Sequence, residues 1–138
     1  MPWCFFTIHG DDLDPISLLS KTMLSEIVVD TFRKGEPTNP GGRPAETSGF
    51  SYEVSDKEFI ADQINEASDF MENYDKDLSK ICESNFIEHV FFNFCYDSRL
   101  NGSSVFIQRD IIPASFIVRC AKYKIGICLT LSPRPERA

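Results

Sequence analysis

The alternation of apolar and polar residues along the chain predicts six β-strands. The first is rich in aromatic and β-branched residues and carries no acid or lysine, which is typical of a central strand. Asn101-Gly102, a dipeptide typical of hairpin turns, separates the fourth strand from the fifth. The strands are expected at residues 3–9, 27–32, 49–54, 87–97, 105–108 and 127–131.

Two shorter helices are predicted on either side of the middle of the chain. Two signals mark the start of the first helix: Asp14 is a good N-cap residue, and Pro15 suits the first helical position. This helix is expected to run to about Leu24. The last runs from Pro113 to about residue 124, where Gly126 can end it. The inward-facing side chains of the first helix are expected to be Ile16, Leu19 and Met23.

The clearest helix begins at a capping-box sequence, Ser55-Asp56-Lys57-Glu58. Apolar residues then recur at alternating spacings of four and three, which predicts one narrow apolar stripe on a long helix. Its length and the lack of complementary flanking charges favour packing onto a sheet over a coiled coil. The stripe consists of Ile60, Ile64, Ala67, Met71, Tyr74, Leu78 and Ile81.

The order of elements, βαββαββαβ, predicts an α+β domain: one mixed sheet of about six strands with three helices. The 138 residues suit a single domain at 1–131, followed by a frayed tail at 132–138 that contains two prolines. The 42% hydrophobic content is sufficient for a core, and twelve phenylalanines predict that this core is aromatic.

The net charge of −7 is concentrated in one segment. Residues 51–84 contain ten acids and three bases, and the remainder of the chain is neutral. Along the long helix, acids recur at the helical spacing on a face away from the apolar stripe. Such a surface repels nucleic acid and attracts cationic proteins, although it can also serve only to keep the protein soluble. The candidate partner contacts are Asp62, Glu66, Asp69, Glu72 and Asp75, with Asp11 and Asp12 as a second patch.

Three carboxylates in Asp11-Asp12-Leu13-Asp14 raise the question of a Ca²⁺ or Mg²⁺ site. The alternating ligands, the glycine and the closing glutamate of an EF-hand loop are missing, and capping accounts for Asp14. We therefore expect no metal and no other cofactor here.

A cysteine–histidine nucleophile pair is not predicted within either strand. His89 and Cys95 share one face of a strand but are separated by about 20 Å. Cys4 and His9 point to opposite faces, and only a contact between strands would bring a cysteine to a histidine. No catalytic residue is assigned.

The glycine- and proline-rich segment 33–48 is predicted to be a loop. It lacks the Lys-Ser/Thr ending and the following helix of a phosphate-binding loop. Arg33, Lys34 and Arg43 form a small basic patch that can bind a phosphate or pair with the acidic helix.

No apolar run approaches the roughly 20 residues that a membrane-spanning helix needs, and the first residues lack the pattern of a secretory signal. Five scattered cysteines, an odd number, favour a reducing compartment. We therefore expect a cytoplasmic protein that binds neither membrane nor nucleic acid.

The turn Gly10-Asp11-Asp12-Leu13-Asp14-Pro15 and the later segment Phe32-Arg33-Lys34-Gly35-Glu36 resemble a bacterial family, the domain of unknown function 4279. The resemblance extends over nearly the whole chain. Phe32 stands where the family commonly has tryptophan, and Phe50 or Tyr52 replaces a later tryptophan. The resemblance implies a small bacterial cytoplasmic α+β domain without known catalytic residues.

Three functional hypotheses follow. The first is a non-enzymatic acidic immunity protein that neutralises a basic bacterial toxin, for example a nuclease. The second is a small-molecule-binding or regulatory domain with the 33–48 loop as a lid. The third is an enzyme that uses carboxylates near Asp11 and Asp12.

Overall fold

The computed structural model of the protein describes residues 2–28, 30–38 and 41–133. Within these ranges the chain forms one mixed sheet of five strands together with four α-helices and a 3₁₀ turn, which confirms the predicted α+β class. The elements are β1 (Trp3–Gly10), α1 (Pro15–Ser20), the 3₁₀ turn (Met23–Glu26), β2 (Asp30–Phe32), β3 (Ser48–Ser55), α2 (Ile60–Asn73), α3 (Asp75–Ile81), β4 (His89–Asp97), α4 (Ala114–Lys122) and β5 (Gly126–Ser132).

The strands are arranged in the order β2-β3-β1-β4-β5. β1 occupies the centre, as its composition predicts. Neighbouring strands are antiparallel except β4 and β5, which are parallel. Parallel neighbours need a crossover connection, and α4 provides it.

An aromatic core lies between the sheet and the helices, as predicted. Phe6, Phe50, Phe92 and Phe94 are fully buried on one side of the sheet. The ring centroid of Phe6 lies 5.1 Å from that of Phe70 in α2 and 5.4 Å from that of Phe92. The opposite side of the sheet carries no helix among the described residues, and its side chains are partly exposed.

The prediction of one long helix opened by a capping box is wrong. Ser55 is the last residue of β3, and its hydroxyl accepts a hydrogen bond from the backbone N–H of Lys57, so it forms a turn instead of a cap. The buried Gln63 amide donates to the carbonyls of Lys57 and Cys95, which holds the preceding segment outside the helix. α2 therefore begins at Ile60.

The helical segment is also interrupted at Tyr74, whose φ of −115° and ψ of 27° are not helical. The predicted apolar stripe nevertheless faces the core on both helices, with Tyr74 as its one partly exposed member. Asp77 of α3 is buried and accepts a hydrogen bond from the Met23 backbone, which anchors the second helix to the 3₁₀ turn.

The predicted fifth strand at 105–108 is not formed. The Asn101 side-chain oxygen accepts hydrogen bonds from the backbone N–H groups of Ser103, Ser104 and Val105, so the chain curls into a compact loop instead of a hairpin. The Gln108 side-chain oxygen accepts a hydrogen bond from the backbone N–H of Arg99, so that N–H is not free for pairing with another strand.

Several predicted boundaries are also corrected. The first helix ends at Ser20. Ile16 is exposed because Pro15 and Leu19 occupy the inward face of α1, and Met23 is exposed because it belongs to the 3₁₀ turn, in which Leu24 is buried. The second strand is shortened to Asp30–Phe32, α4 ends at Lys122, and Gly126 starts β5 instead of ending a helix. Ser132 belongs to β5 and not to a frayed tail, and residues 134–138 of that tail lie outside the described residues.

Candidate functional site

The outward side of α2 and the start of α3 form a surface that we call the acidic ridge, defined by Asp62, Glu66, Asp69, Glu72 and Asp75. Asp62, Asp69 and Glu72 are exposed, and Glu66 and Asp75 are partly buried. Helical periodicity places the α2 carboxylates opposite the buried side chains Ile64, Ala67 and Met71. The structure therefore brings the predicted contacts on α2 together on one side of one helix.

Cations of the protein itself reach two of the five ridge carboxylates. Lys57 Nζ lies 3.9 Å from Glu66 Oε1, and Lys122 Nζ lies 3.2 Å from Asp75 Oδ1. Within the described ranges, Asp62, Asp69 and Glu72 have no ion-pair partner. These three carboxylates therefore face solvent without a described cation at ion-pair distance, although Arg119 and Lys122 border a shallow cleft together with Glu72.

Asp75 is tied to α4. The Tyr123 hydroxyl and the Lys122 ammonium both donate to its carboxylate, and these hydrogen bonds, Tyr123 first, lower the pKa of Asp75 below its usual value. The Asp75 carboxylate is therefore ionised at neutral pH. Its main role is to hold the end of the ridge against α4, because its charge is already paired with Lys122.

A cleft of about 740 Å³ opens at the end of the ridge, between the 3₁₀ turn and the α2–α3 junction. Glu26, Glu72 and Asp75 supply carboxylates to its wall, while Met23 and the Tyr74 ring supply apolar surface. Lys76 and Lys80 also border the cleft and reduce its negative charge. A long basic side chain fits these walls, because its stem is apolar and its tip is cationic.

Glu26 and Tyr74 belong to this surface but were not predicted from the sequence to do so. Glu26 comes from a distant segment, and Tyr74 is assigned to the apolar stripe by its spacing. Only the break between α2 and α3 exposes one side of Tyr74, and no local pattern predicted that break.

The second predicted patch, Asp11 and Asp12, lies on the turn after β1. Asp11 Oδ1 is 3.5 Å from Lys34 Nζ, and Asp14 Oδ1 is 3.4 Å from Arg33. The basic patch therefore pairs with this turn and not with the acidic helix. In the same turn Asp12 is exposed.

Two observations bear on metal and nucleophile chemistry. Among the residues that the structure describes, no three His, Cys, Asp or Glu side chains are grouped so that they could hold a metal ion. Cys95 lies opposite Trp3, whereas His89 lies opposite His9 at the other end of β1, so Cys95 remains distant from both histidines.

The two histidines instead form a pair on the helix-free side of the sheet. Their ring centroids are 4.8 Å apart, and His9 Nδ1 lies 3.1 Å from the Thr47 hydroxyl. Burial, followed by the neighbouring His89, lowers the pKa of His9, and Glu88 acts in the opposite direction. His9 is therefore held in its neutral form more firmly than a free histidine.

A second cleft, of about 610 Å³, lies where β4 and β5 begin. Apolar Ile87, Phe91 and Ile127 line it together with His89 and Lys124. None of its lining residues comes from the 33–48 loop, and neither do those of the cleft beside the ridge. The structure thus provides a concave surface for a small molecule, but away from the predicted lid.

Comparison with family models, with curated proteins and with solved structures found no significant match to this chain. The resemblance to the domain of unknown function 4279 stays a prediction from the opening motif. No helix in the described ranges is long and apolar enough to cross a membrane.

Proposed function

We propose that the protein is a non-catalytic binding domain whose acidic ridge docks a basic protein, and that this partner is a bacterial toxin domain, such as a nuclease, which it inhibits. The proposal depends mainly on the exposed carboxylates of Asp62, Asp69 and Glu72 on one side of α2, none of which has a described cation at ion-pair distance. Enzymes that cleave nucleic acid carry basic surfaces because they must approach phosphates. An acidic inhibitor is steered to such a surface and can cover it.

The ridge is unfavourable for the helix that carries it, which supports a functional interpretation. Glu66 lies four residues after Asp62 and three before Asp69, and like charges at these spacings destabilise a helix by roughly 0.2–0.5 kcal/mol per pair. Glu72 lies in the last turn of α2, which contains no basic residue, so its charge opposes the helix dipole. Local rules broken without a structural gain are expected at functional surfaces.

The ridge is also well ordered for binding. Ile60, Ile64 and Met71 anchor α2 in the core, and the buried Gln63 amide joins its first turn to β4. The carboxylates therefore project from a fixed backbone, which reduces the entropy lost on docking. The neighbouring cleft, with Glu26 and the Tyr74 ring, supplies a pocket for one anchoring Arg or Lys.

The test is a neutralised ridge, the triple variant Asp62→Asn, Asp69→Asn, Glu72→Gln. Its partner in the assay is the cationic toxin domain encoded in the adjacent reading frame. We expect the dissociation constant to rise at least about tenfold, mainly through slower association, and the salt dependence of binding to weaken. Surface plasmon resonance at several ionic strengths measures all three quantities.

The matched control changes the same total charge elsewhere. Asp30→Asn, Glu46→Gln, Glu53→Gln alters three exposed acids outside the ridge. Long-range steering alone predicts equal effects of the two triple variants, and that result would refute docking at the ridge. A failure of the unmodified protein to bind any neighbouring gene product, at low and moderate salt, would refute the immunity function itself.

A further inference from the structure

β5 is an edge strand that the described chain leaves open. It pairs with β4 on one side only, and nearly all of its seven residues are exposed. It contains no charged residue, no proline and no bulge, the features by which proteins usually protect an edge. Its outer backbone N–H and C=O groups are therefore available to another strand.

Apolar side chains border this open edge on the helix side of the sheet. Leu129 and Leu131 lie opposite Phe94 and Tyr96 of β4, yet they remain 44% and 50% exposed. Such exposure on the core side of a strand indicates that the layer above β5 is incomplete.

α4 extends the same apolar surface. Phe116 packs on Phe92 and Phe94 of β4. Arg119 contacts the Ser68 carbonyl of α2, and Lys122 contacts Asp75 at the start of α3.

Ile117 lies on the side of α4 opposite Arg119, toward β5, and is 48% exposed. Together with Leu129 and Leu131 it forms the surface that we call the apolar edge.

We propose that a second copy of this chain covers the apolar edge, with β5 pairing antiparallel to β5 of the other copy across a twofold axis perpendicular to the sheet. The two five-stranded sheets then become one continuous sheet, and the two α4 helices lie on the same side of it. This proposal is independent of the acidic ridge, because α4 separates α2 from the edge.

The strand is complementary to itself. Residues directly opposite each other in an antiparallel pair point to the same side of the sheet. Pairing centred on Leu129 therefore places Ile127 opposite Leu131 on the helix side and Cys128 opposite Thr130 on the other. Apolar residues meet apolar residues and small residues meet small residues.

Charge also permits this contact despite the net charge of −7 on each copy. The strand itself is uncharged, so no like charges are forced together at its centre.

The side chains of the apolar edge supply part of the area that a stable pair needs. With about 100 Å² of apolar surface on a fully exposed aliphatic side chain, the three side chains leave roughly 140 Å² uncovered. A standard interface buries about 800 Å² per partner, so the outer backbone of β5 and its small side chains must supply most of the contact.

Analytical ultracentrifugation of the full chain over a wide concentration range tests the proposal. We expect a reversible dimer. Leu129→Lys and, separately, Ile117→Glu should each raise the dimer dissociation constant at least about tenfold, because both place a charge inside the apolar contact. Using two variants on different elements guards against the failure of one to fold, which circular dichroism detects.

Ile16→Lys is the matched control, because Ile16 is similarly exposed on α1, away from the edge. It should leave the dimer unchanged. A monomer at all concentrations would overturn the proposal, as would a dimer that Ile16→Lys weakens while the two edge variants do not. A dimer of the unmodified protein that dissociates in both edge variants supports it.

Discussion

At the scale of single residues, Gly49 has the least room for change. It lies on β3 opposite His9 of β1, and an added Cβ would meet the Ile8 carbonyl and the His9 backbone. Gly49→Ala should therefore lower the free energy of unfolding by about 1–3 kcal/mol, the usual cost of overpacking. Urea denaturation followed by circular dichroism measures this loss.

Gly126→Ala is the control for that substitution. A Cβ at Gly126 would lie 3.6 Å from the nearest atom, the Val90 carbonyl oxygen, which is ordinary contact. Its effect should stay within about 0.5 kcal/mol. Equal losses at the two glycines would show that the close approach of β3 to β1 does not determine the cost.

The His9–His89 pair makes stability depend on pH. A lowered pKa in the folded state means that the unfolded chain binds the proton more readily. The stabilisation is complete above the unfolded histidine pKa of about 6.5 and is lost as pH falls toward the lower folded value. We expect the melting temperature to fall between pH 7 and pH 5, and His9→Gln to reduce this fall.

His89→Gln separates the two causes of the shift. Because burial contributes more than the charge of His89, this variant should remove only the smaller part of the pH dependence. Differential scanning calorimetry of the unmodified protein, His9→Gln and His89→Gln at matched pH values shows which variant loses more of the pH dependence. A complete loss of pH dependence in His89→Gln would contradict the role of burial.

Residue burial could be predicted from the sequence wherever one period holds over several turns. The apolar stripe from Ile60 to Ile81 is correct for this reason. The inward position of Met23 is wrong because a 3₁₀ turn replaces the second half of the helix, and that of Ile16 is wrong because Pro15 and Leu19 occupy the inward face of α1. The burial of the polar Gln63 could not be predicted, because its hydrogen-bond acceptor, the Cys95 carbonyl, lies on β4, far away in the sequence.

At the scale of elements, α1 depends on its N-cap. The helix has six residues, and the Asp14 carboxylate accepts hydrogen bonds from the backbone N–H groups of Ile16 and Ser17, each 3.2 Å long. Asp14→Ala should lower the free energy of unfolding by about 1 kcal/mol. Asp12→Ala, an exposed acid on the same turn that caps nothing, should change it by less than about 0.5 kcal/mol.

Chemical denaturation of Asp14→Ala and Asp12→Ala measures the two changes in the free energy of unfolding. A loss at Asp12 as large as that at Asp14 would indicate that the charge of the turn, including the contacts with Arg33 and Lys34, is the stabilising factor. Asp14→Asn supplies a further comparison, because asparagine retains the capping oxygen without the charge.

Four of the six predicted strands were largely correct because alternation extends over enough residues in each. The strand predicted at 105–108 failed because Asn101 and Gln108 satisfy backbone groups with their side chains. The capping box failed for a similar reason, since the Ser55 hydroxyl and the Gln63 amide were used elsewhere. Short motifs made of hydrogen-bonding residues are compatible with several local structures, and tertiary contacts select one.

At the scale of the whole molecule, the parallel pairing of β4 with β5 was not predicted. It depends on α4 crossing the sheet, which a list of elements does not specify. The exposure of the acidic residues on α2 was predictable, because helical spacing alone puts them opposite the core. The cleft beside them was not, because Glu26 reaches it from another part of the chain.

The two proposed surfaces lie on different sides of the molecule. The acidic ridge follows α2, while the apolar edge follows β5 and the far side of α4. A pair of chains joined at the edge would therefore leave both ridges free, and each could hold its own basic partner. Size measurement of the complex would then show two copies of each protein.

Trp3 is the sole indole of the chain, and it lies half-buried on the helix-free side of the central strand. Its ring meets that of Phe5 edge to face, with 5.9 Å between the centroids. Trp3 is therefore an intrinsic fluorophore at a single known position in the sheet. Its emission will follow opening of the sheet without a dye, while a ligand on the ridge, across the molecule, leaves the spectrum unchanged.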